Sequence, residues 1–375
     1  MPDKKIKIFL IIVTVMMIFI YGRIDYNILP YSEWDLSSYL EMAKSAPGLN
    51  FQVDIPYVYR ILGPFIAGII PLDEPVSFYL LSIVFSITLI LLFHCFLIKV
   101  GISSKSALFA CVLFVFNKYF FGFNVWDYFQ INDILSFVAI VLLFWSMNRS
   151  NWLLFGSTAL IASLAKATWV IIIPTLVVFL LEKKRFRGEI FKAIAASVPA
   201  LAVFIAMRML IPARNGQTII EALMYYWDKI LDPQVLFKLL INSFIPLTFL
   251  PIVFIDKTIG FFRGKLYALT FVLLVFGSCL LGTDNERLIA PAFIVFYWLI
   301  GYILDFGFEG NKIIIAIVMF FGFLSSLHHC YTNFSFMTRN LTLVFSLGSL
   351  AVVTISAIAY RLLSKDKLRL NRGDE

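Results

Sequence analysis

The sequence predicts an all-α polytopic integral membrane protein of about 12 transmembrane helices, with short interfacial helices in its first outer loop. Three observations carry this expectation. Of 375 residues, 61% are hydrophobic and 14% charged, with a mean hydropathy of +0.91. Soluble domains carry about 25% charged residues, so a soluble globule of this size would lack a polar coat. Apolar runs of about 20 residues recur along the chain, the length a helix needs to cross lipid. Lys and Arg gather in short connections and in the C-terminal tail, as the positive-inside rule requires. A β-barrel is disfavoured because its strands would alternate, whereas these runs are continuous. The net charge of +8 lies in loops and tail with no basic soluble face, so no nucleic-acid partner is expected.

The first span, about 8–22, follows Lys4, Lys5 and Lys7, with no small-residue cleavage site after Tyr21. It reads as an uncleaved anchor leaving the cytoplasm. The outer loop 23–74 is acidic and aromatic. Within it 35–46 reads as an amphipathic helix, because Leu36, Tyr39, Leu40 and Ala43 fall on one face. Arg60 to Ile70 is too short to span and reads as an interfacial helix. Spans 2, 3 and 4 are expected at about 75–98, 106–121 and 133–149, the last opening at Asp133, which can be its N-cap. The run 152–182 has basic flanks at Arg149 and at Lys183 to Arg187. Both flanks belong in the cytoplasm, so the run divides into two short spans, 152–165 and 168–182, with Lys166 at the outer turn. Spans 7 to 12 follow at about 191–211, 236–255, 266–282, 288–304, 312–327 and 340–361. The whole of 1–375 is one transmembrane domain, with additional C-terminal spans at about 306–361, a basic cytoplasmic tail at 362–375 and both termini inside.

The candidates for chemistry lie in the outer connections. Asp35 opens the amphipathic helix, where it can be an N-cap or a general base. Arg60, Lys166 and Arg287 each stand beside apolar sequence. Such cations either snorkel to headgroups or bind phosphate, and an ionisable residue in a tight intramembrane turn, as Lys166 is, is a functional suspect. Glu33, Tyr39, Tyr59, Asp127, Asp133, Asp284 and Glu286 are candidate substrate-binding groups. Trp34, Trp126, Tyr225, Tyr226 and Trp227 suit stacking on sugars, although aromatic belts put the same residues at an interface. The sequence names no cofactor; a divalent metal stays possible. His328 and His329 lack the further ligands a metal set needs. Cys95, Cys111, Cys279 and Cys330 show no paired spacing, and three of them fall within expected spans, so buried thiols are the default. Asn333 and Asn340 match the glycosylation pattern, which counts only in a secretory eukaryotic setting.

Together these segments resemble the GT-C superfamily of polytopic glycosyltransferases. Asp35, Tyr39 and Ala43 match the Asp-x3-Tyr-x3-Ala spacing of protein O-mannosyltransferases and aminoarabinose transferases. Pro56 to Pro64, with Tyr57, Tyr59, Arg60 and Leu62, is similar to a Tyr-x-Tyr-Arg-x-Leu-x-Pro stretch of related mannosyltransferases. Ala165-Lys166-Ala167-Thr168 followed by Pro174 looks like the family's lysine turn. Asp284 to Pro291, with Arg287, looks like its Arg-x3-Pro element. The resemblance covers about 8–305. The chain departs from it where Leu36 stands in place of an acidic residue after the aspartate, with Glu33 before it instead. No large soluble domain follows the spans.

The resemblance implies an inverting sugar transfer from a polyprenyl-phosphate-linked donor at the outer face of a bacterial inner or plasma membrane. It implies Asp35 as general base, and Arg60, Lys166 and Arg287 as donor-phosphate ligands. The acceptor, whether glycan, lipid or protein, is left open. Two other classes compete. A transporter or flippase would place charges or broken helices at mid-bilayer; most charges here lie at span ends, with Arg208 a partial exception. A membrane glycan polymerase would carry large arginine-rich outer loops, and these loops are acidic.

Overall fold

A computed structural model describes residues 4–22, 24, 36–211, 220–221, 224, 232–279, 284–328, 334 and 336–370, the last six by backbone only. Helices account for the regular structure, and no strand occurs among the described residues. The helices are α1 (Lys4–Tyr21), α2 (Leu36–Lys44), α3 (Leu62–Ile69), α4 (Glu74–Lys99), α5 (Ser104–Val115), α6 (Ile131–Arg149), α7 (Trp152–Ala165) and α8 (Ile172–Glu182). They continue as α9 (Phe186–Leu210), α10 (Pro233–Leu240), α11 (Ile255–Phe262), α12 (Leu266–Ser278), α13 (Phe293–Phe306), α14 (Lys312–Ser326) and α15 (Arg339–Leu370), with short turns between them. Among the described residues five helical spans are long and apolar enough to cross a membrane, or seven if each of two bent pairs is one span. Three shorter apolar helices accompany them. The protein is therefore a helical bundle with several membrane-spanning candidates.

Burial separates the centre of the bundle from its flank. The apolar windows of α6 and of the segment containing α13 are each 78% buried, whereas those of α9 and α15 are 22% and 33% buried. Leu153, Phe191, Met209, Leu210 and Ile313 stand on the flank at 75–86% exposure. Water would not tolerate so wide an apolar surface, and hydrocarbon would. At the centre, Phe93, Phe114 and Phe293 pack as an aromatic stack, with Phe114 and Phe293 centroids 4.6 Å apart.

The loop between α1 and α4 behaves as its pattern predicts where it is described. Helix α2 buries Leu36, Tyr39, Met42 and Ala43, while Leu40 is half-buried. Helix α3 crosses it so closely that a side chain on Gly68 would strike the backbone of Ala43. The run 152–182 divides as expected. Helix α7 ends at Ala165, Lys166 takes an extended conformation, and a 3-10 turn (Ala167–Ile171) leads into α8. Thus α6, α7 and α8 run antiparallel in turn between two polar ends of the bundle, with Asp133 beside Lys166 at one and Arg149 near Lys183 at the other.

Three expectations need correction. The span expected at 236–255 is not one helix. Helix α10, a turn at Asn242–Phe244, a short helix at Leu250–Val253 and α11 divide that region. Pro246 and Pro251 fall within it, and each lacks the amide that a continuous helix would use. The third span breaks after Val115, and Lys118–Phe123 forms a π-helical turn in a segment bent by 56° from α5. Asp133 is not the cap of α6, because Gln130 holds that position and Asp133 lies in the first turn, fully buried.

Candidate functional site

Asp133 is the centre of the candidate site. One oxygen lies 2.5 Å from Lys166 Nζ and the other 2.8 Å from Arg287 Nε, with its side chain 1% exposed and theirs 7% and 11%. Arg287 Nη1 also lies 3.6 Å from the more exposed Asp284. A buried carboxylate persists in an apolar bundle only when paired, and here both its oxygens face cations.

Arg60 reaches the same group from the loop before α3. Its Nη1 donates to the Tyr39 hydroxyl at 2.9 Å, and its guanidinium stands 5.7 Å from the Tyr57 ring. Its backbone carbonyl accepts from Asn132 Nδ2 at 3.0 Å, while Asn132 Oδ1 accepts from the Gly63 amide at 3.0 Å. This paired clasp fixes the start of α3 to the start of α6. Gly63 makes it possible, since a side chain there would meet Ile131 and Asn132. Burial works against the Arg60 charge and so does Arg287, but Tyr39 and Asp133 outweigh them, so the guanidinium is held above its ordinary value. Lys166 and Arg287, distant in sequence, therefore pair with Asp133, and Arg60, fixed next to them through Asn132, acts on it through its charge.

The other candidate residues divide. Tyr39 binds Arg60. Tyr59 lies under Arg208, whose guanidinium is 4.7 Å from its ring. Asp127 is fully buried near the same end. Glu286 turns away from Arg287, and its carboxylate accepts from Asn242 Nδ2 at 3.4 Å. Asp35, Glu33, Trp34, Tyr225, Tyr226, Trp227, His329 and Cys330 lie outside the described residues. Cys95, Cys111 and Cys279 are free thiols. Among the described residues no three His, Cys, Asp or Glu side chains gather to hold a metal.

Two features escaped the sequence reading. Asn132, a neutral side chain at the start of α6 that no pattern singles out, builds the clasp under Arg60. Lys118 is buried inside an apolar stretch and donates to Asn242 Oδ1 at 2.8 Å. Its charge within an apolar run was the available signal.

An apolar cleft of about 400 Å³ lies between the loop that carries Arg60, the end of α7 and the end of α9. Leu49, Phe51, Met207 and Leu210 line it, together with Ile61, next to Arg60, and Leu164, two residues before Lys166.

No family model, no curated protein and no solved structure matches the chain.

Proposed function

We propose that the protein is an inverting glycosyltransferase of GT-C type, taking a sugar from a polyprenyl-phosphate donor at the outer face of the membrane. One observation carries this reading: Lys166 and Arg287 pair with Asp133, the charge of Arg60 acts on the same carboxylate, and Ile61 and Leu164, close in sequence to Arg60 and Lys166, line an apolar cleft. Among the described residues Arg60, Lys166 and Arg287 face Asp133 and the more exposed Asp284, a net positive charge that a lipid phosphate would balance. Asp133 keeps Lys166 and Arg287 in fixed directions, so little reorganisation is needed when the leaving phosphate gains charge. The cleft along Ile61, Leu164 and Met207 suits the hydrocarbon carrier.

In this reading Asp35 is the base. It stands four residues before Tyr39, and Tyr39 binds Arg60. Asp35 takes the proton from an acceptor hydroxyl, the acceptor oxygen bonds to the anomeric carbon, and the bond from that carbon to the phosphate oxygen breaks. The electron pair leaves with the lipid phosphate, held by Arg60, Lys166 and Arg287. Attack opposite the leaving group inverts the anomeric centre.

The basic connections at Arg149 and at Lys183 to Arg187 support a cytoplasmic position for that end of α6 and an outer one for its Asp133 end. About 12 crossings, counting the short helices, with both termini inside, complete the proposed topology.

Binding of a polyprenyl monophosphate to the purified protein tests the phosphate site. Wild type should bind it more tightly than the uncharged polyprenol, and Arg60→Gln should remove most of that preference. Equal binding of phosphate and alcohol would defeat the assignment.

A further inference from the structure

A second cavity, of about 280 Å³, lies at the opposite end of α6. Lys99, Arg149, Lys183 and Lys265 line it together with Trp145 and Trp298. Arg149 is 16 residues from Asp133, so the two sites are separated by roughly 24 Å at 1.5 Å per residue.

The four cations come from four different places: the end of α4, the end of α6, the turn after α8, and the junction between α11 and α12. Among the described residues none of them forms an ion pair with a carboxylate. Glu182 is the carboxylate that acts on Lys265. It also accepts from the Tyr267 amide at 3.3 Å.

The fold holds these cations in place by uncharged contacts. Lys183 Nζ donates to the Gly264 carbonyl at 2.9 Å, and Lys265 Nζ to the Phe261 carbonyl at 3.0 Å. Arg149 stands 5.1 Å from the Trp145 ring and Lys265 5.6 Å from the Trp298 ring. Burial, and then Lys183 beside it, keep Lys265 below the ordinary lysine value. Topology alone asks only that basic residues lie on one side of the membrane. It does not require that they converge on one concave, aromatic-walled space where they repel one another.

The geometry points to a binding site for a phosphate ester in this cavity, separate from the Asp133 cluster. The cavity is just below the range of about 300–1,000 Å³ typical of small-molecule sites. It is large enough for one phosphate headgroup. The ester can belong to an anionic phospholipid, since basic pockets between helices on the cytoplasmic side suit such headgroups, or to a soluble phosphate.

Thermal unfolding in nanodiscs distinguishes these sources. Discs of phosphatidylcholine alone are compared with discs containing phosphatidylglycerol, and phosphatidylcholine discs are titrated with inorganic phosphate against sodium chloride of equal ionic strength. Stabilisation by phosphatidylglycerol assigns the lipid headgroup, and stabilisation by inorganic phosphate assigns the soluble ester. Arg149→Gln and Lys265→Gln should each weaken the effect by roughly fivefold in affinity. Lys312→Gln, outside the cavity, should leave it unchanged. If neither phosphate source shifts the wild-type transition beyond its salt control, or if Lys312→Gln weakens the effect as much as Arg149→Gln does, the site does not exist.

Discussion

At one end of α6 a single buried carboxylate draws Lys166 and Arg287 to within 2.5 and 2.8 Å. At the other end four cations line a cavity without an ion pair among the described residues. The first arrangement supplies part of its own counter-charge and thereby fixes direction. The second leaves its charge open and relies on carbonyls and aromatic rings to hold it. Electrostatic preorganisation needs the first kind, because cations that repel one another freely would move as charge develops. Reversible capture of an anion needs only the second.

The largest expected effect breaks the first arrangement. Asp133→Asn leaves Lys166 without its carboxylate and Arg287 with only the more exposed Asp284, and should cost about 3–5 kcal/mol of stability, the usual penalty for removing one partner of a buried pair. A large fall in thermal unfolding temperature in detergent would show it; an unchanged transition would mean that Asp133 does not hold the cluster. The paired change Asp133→Leu with Lys166→Met sharpens the point. Apolar replacement of both partners should restore much of the stability, although Arg287 remains, while transfer from the lipid donor should stay lost. Recovery of transfer would make the cluster purely structural.

Next in size is Gly63→Ala. Its methyl group would meet Ile131 and Asn132 and push α3 away from α6, costing about 1–3 kcal/mol as overpacking. A lower unfolding temperature together with weaker polyprenyl-phosphate binding is expected, and unchanged binding would separate Arg60 from the clasp. The smallest effect is that of Tyr39→Phe. It removes the 2.9 Å bond from Arg60, a change of about 1–2 kcal/mol. This should weaken phosphate binding by a few-fold without altering expression, and a chemical-denaturation series beside a binding titration would resolve it.

Parts of this picture were legible in the sequence. The break at Lys166 follows from basic flanks on both sides of one long apolar run, and Tyr39 follows from helical spacing. The convergence of Arg60, Lys166 and Arg287 was an expectation drawn from resemblance, because no local pattern tells which distant cations meet. Asp133 shows why. Its local context, an acidic residue at the start of an apolar helix, describes a cap, and only partners from the turn after α7 and from the segment before α13 make it a centre. The broken region 233–262 was misread for a different reason. Apolar length outweighed Pro246 and Pro251, whose missing amides were visible. The basic cavity was read as loop charge, since convergence of four connections exists only once the helices are packed.

The central claim is sugar transfer from a polyprenyl-phosphate donor with Asp35 as base. The most direct measurement is transfer by the purified protein in proteoliposomes over a panel of polyprenyl-phosphate sugars, with Asp35→Asn in parallel. The account predicts transfer from at least one donor by the wild type, and its loss in Asp35→Asn at an unchanged unfolding temperature. Transfer that persists in Asp35→Asn, or a wild type that transfers no sugar from any donor, would contradict it.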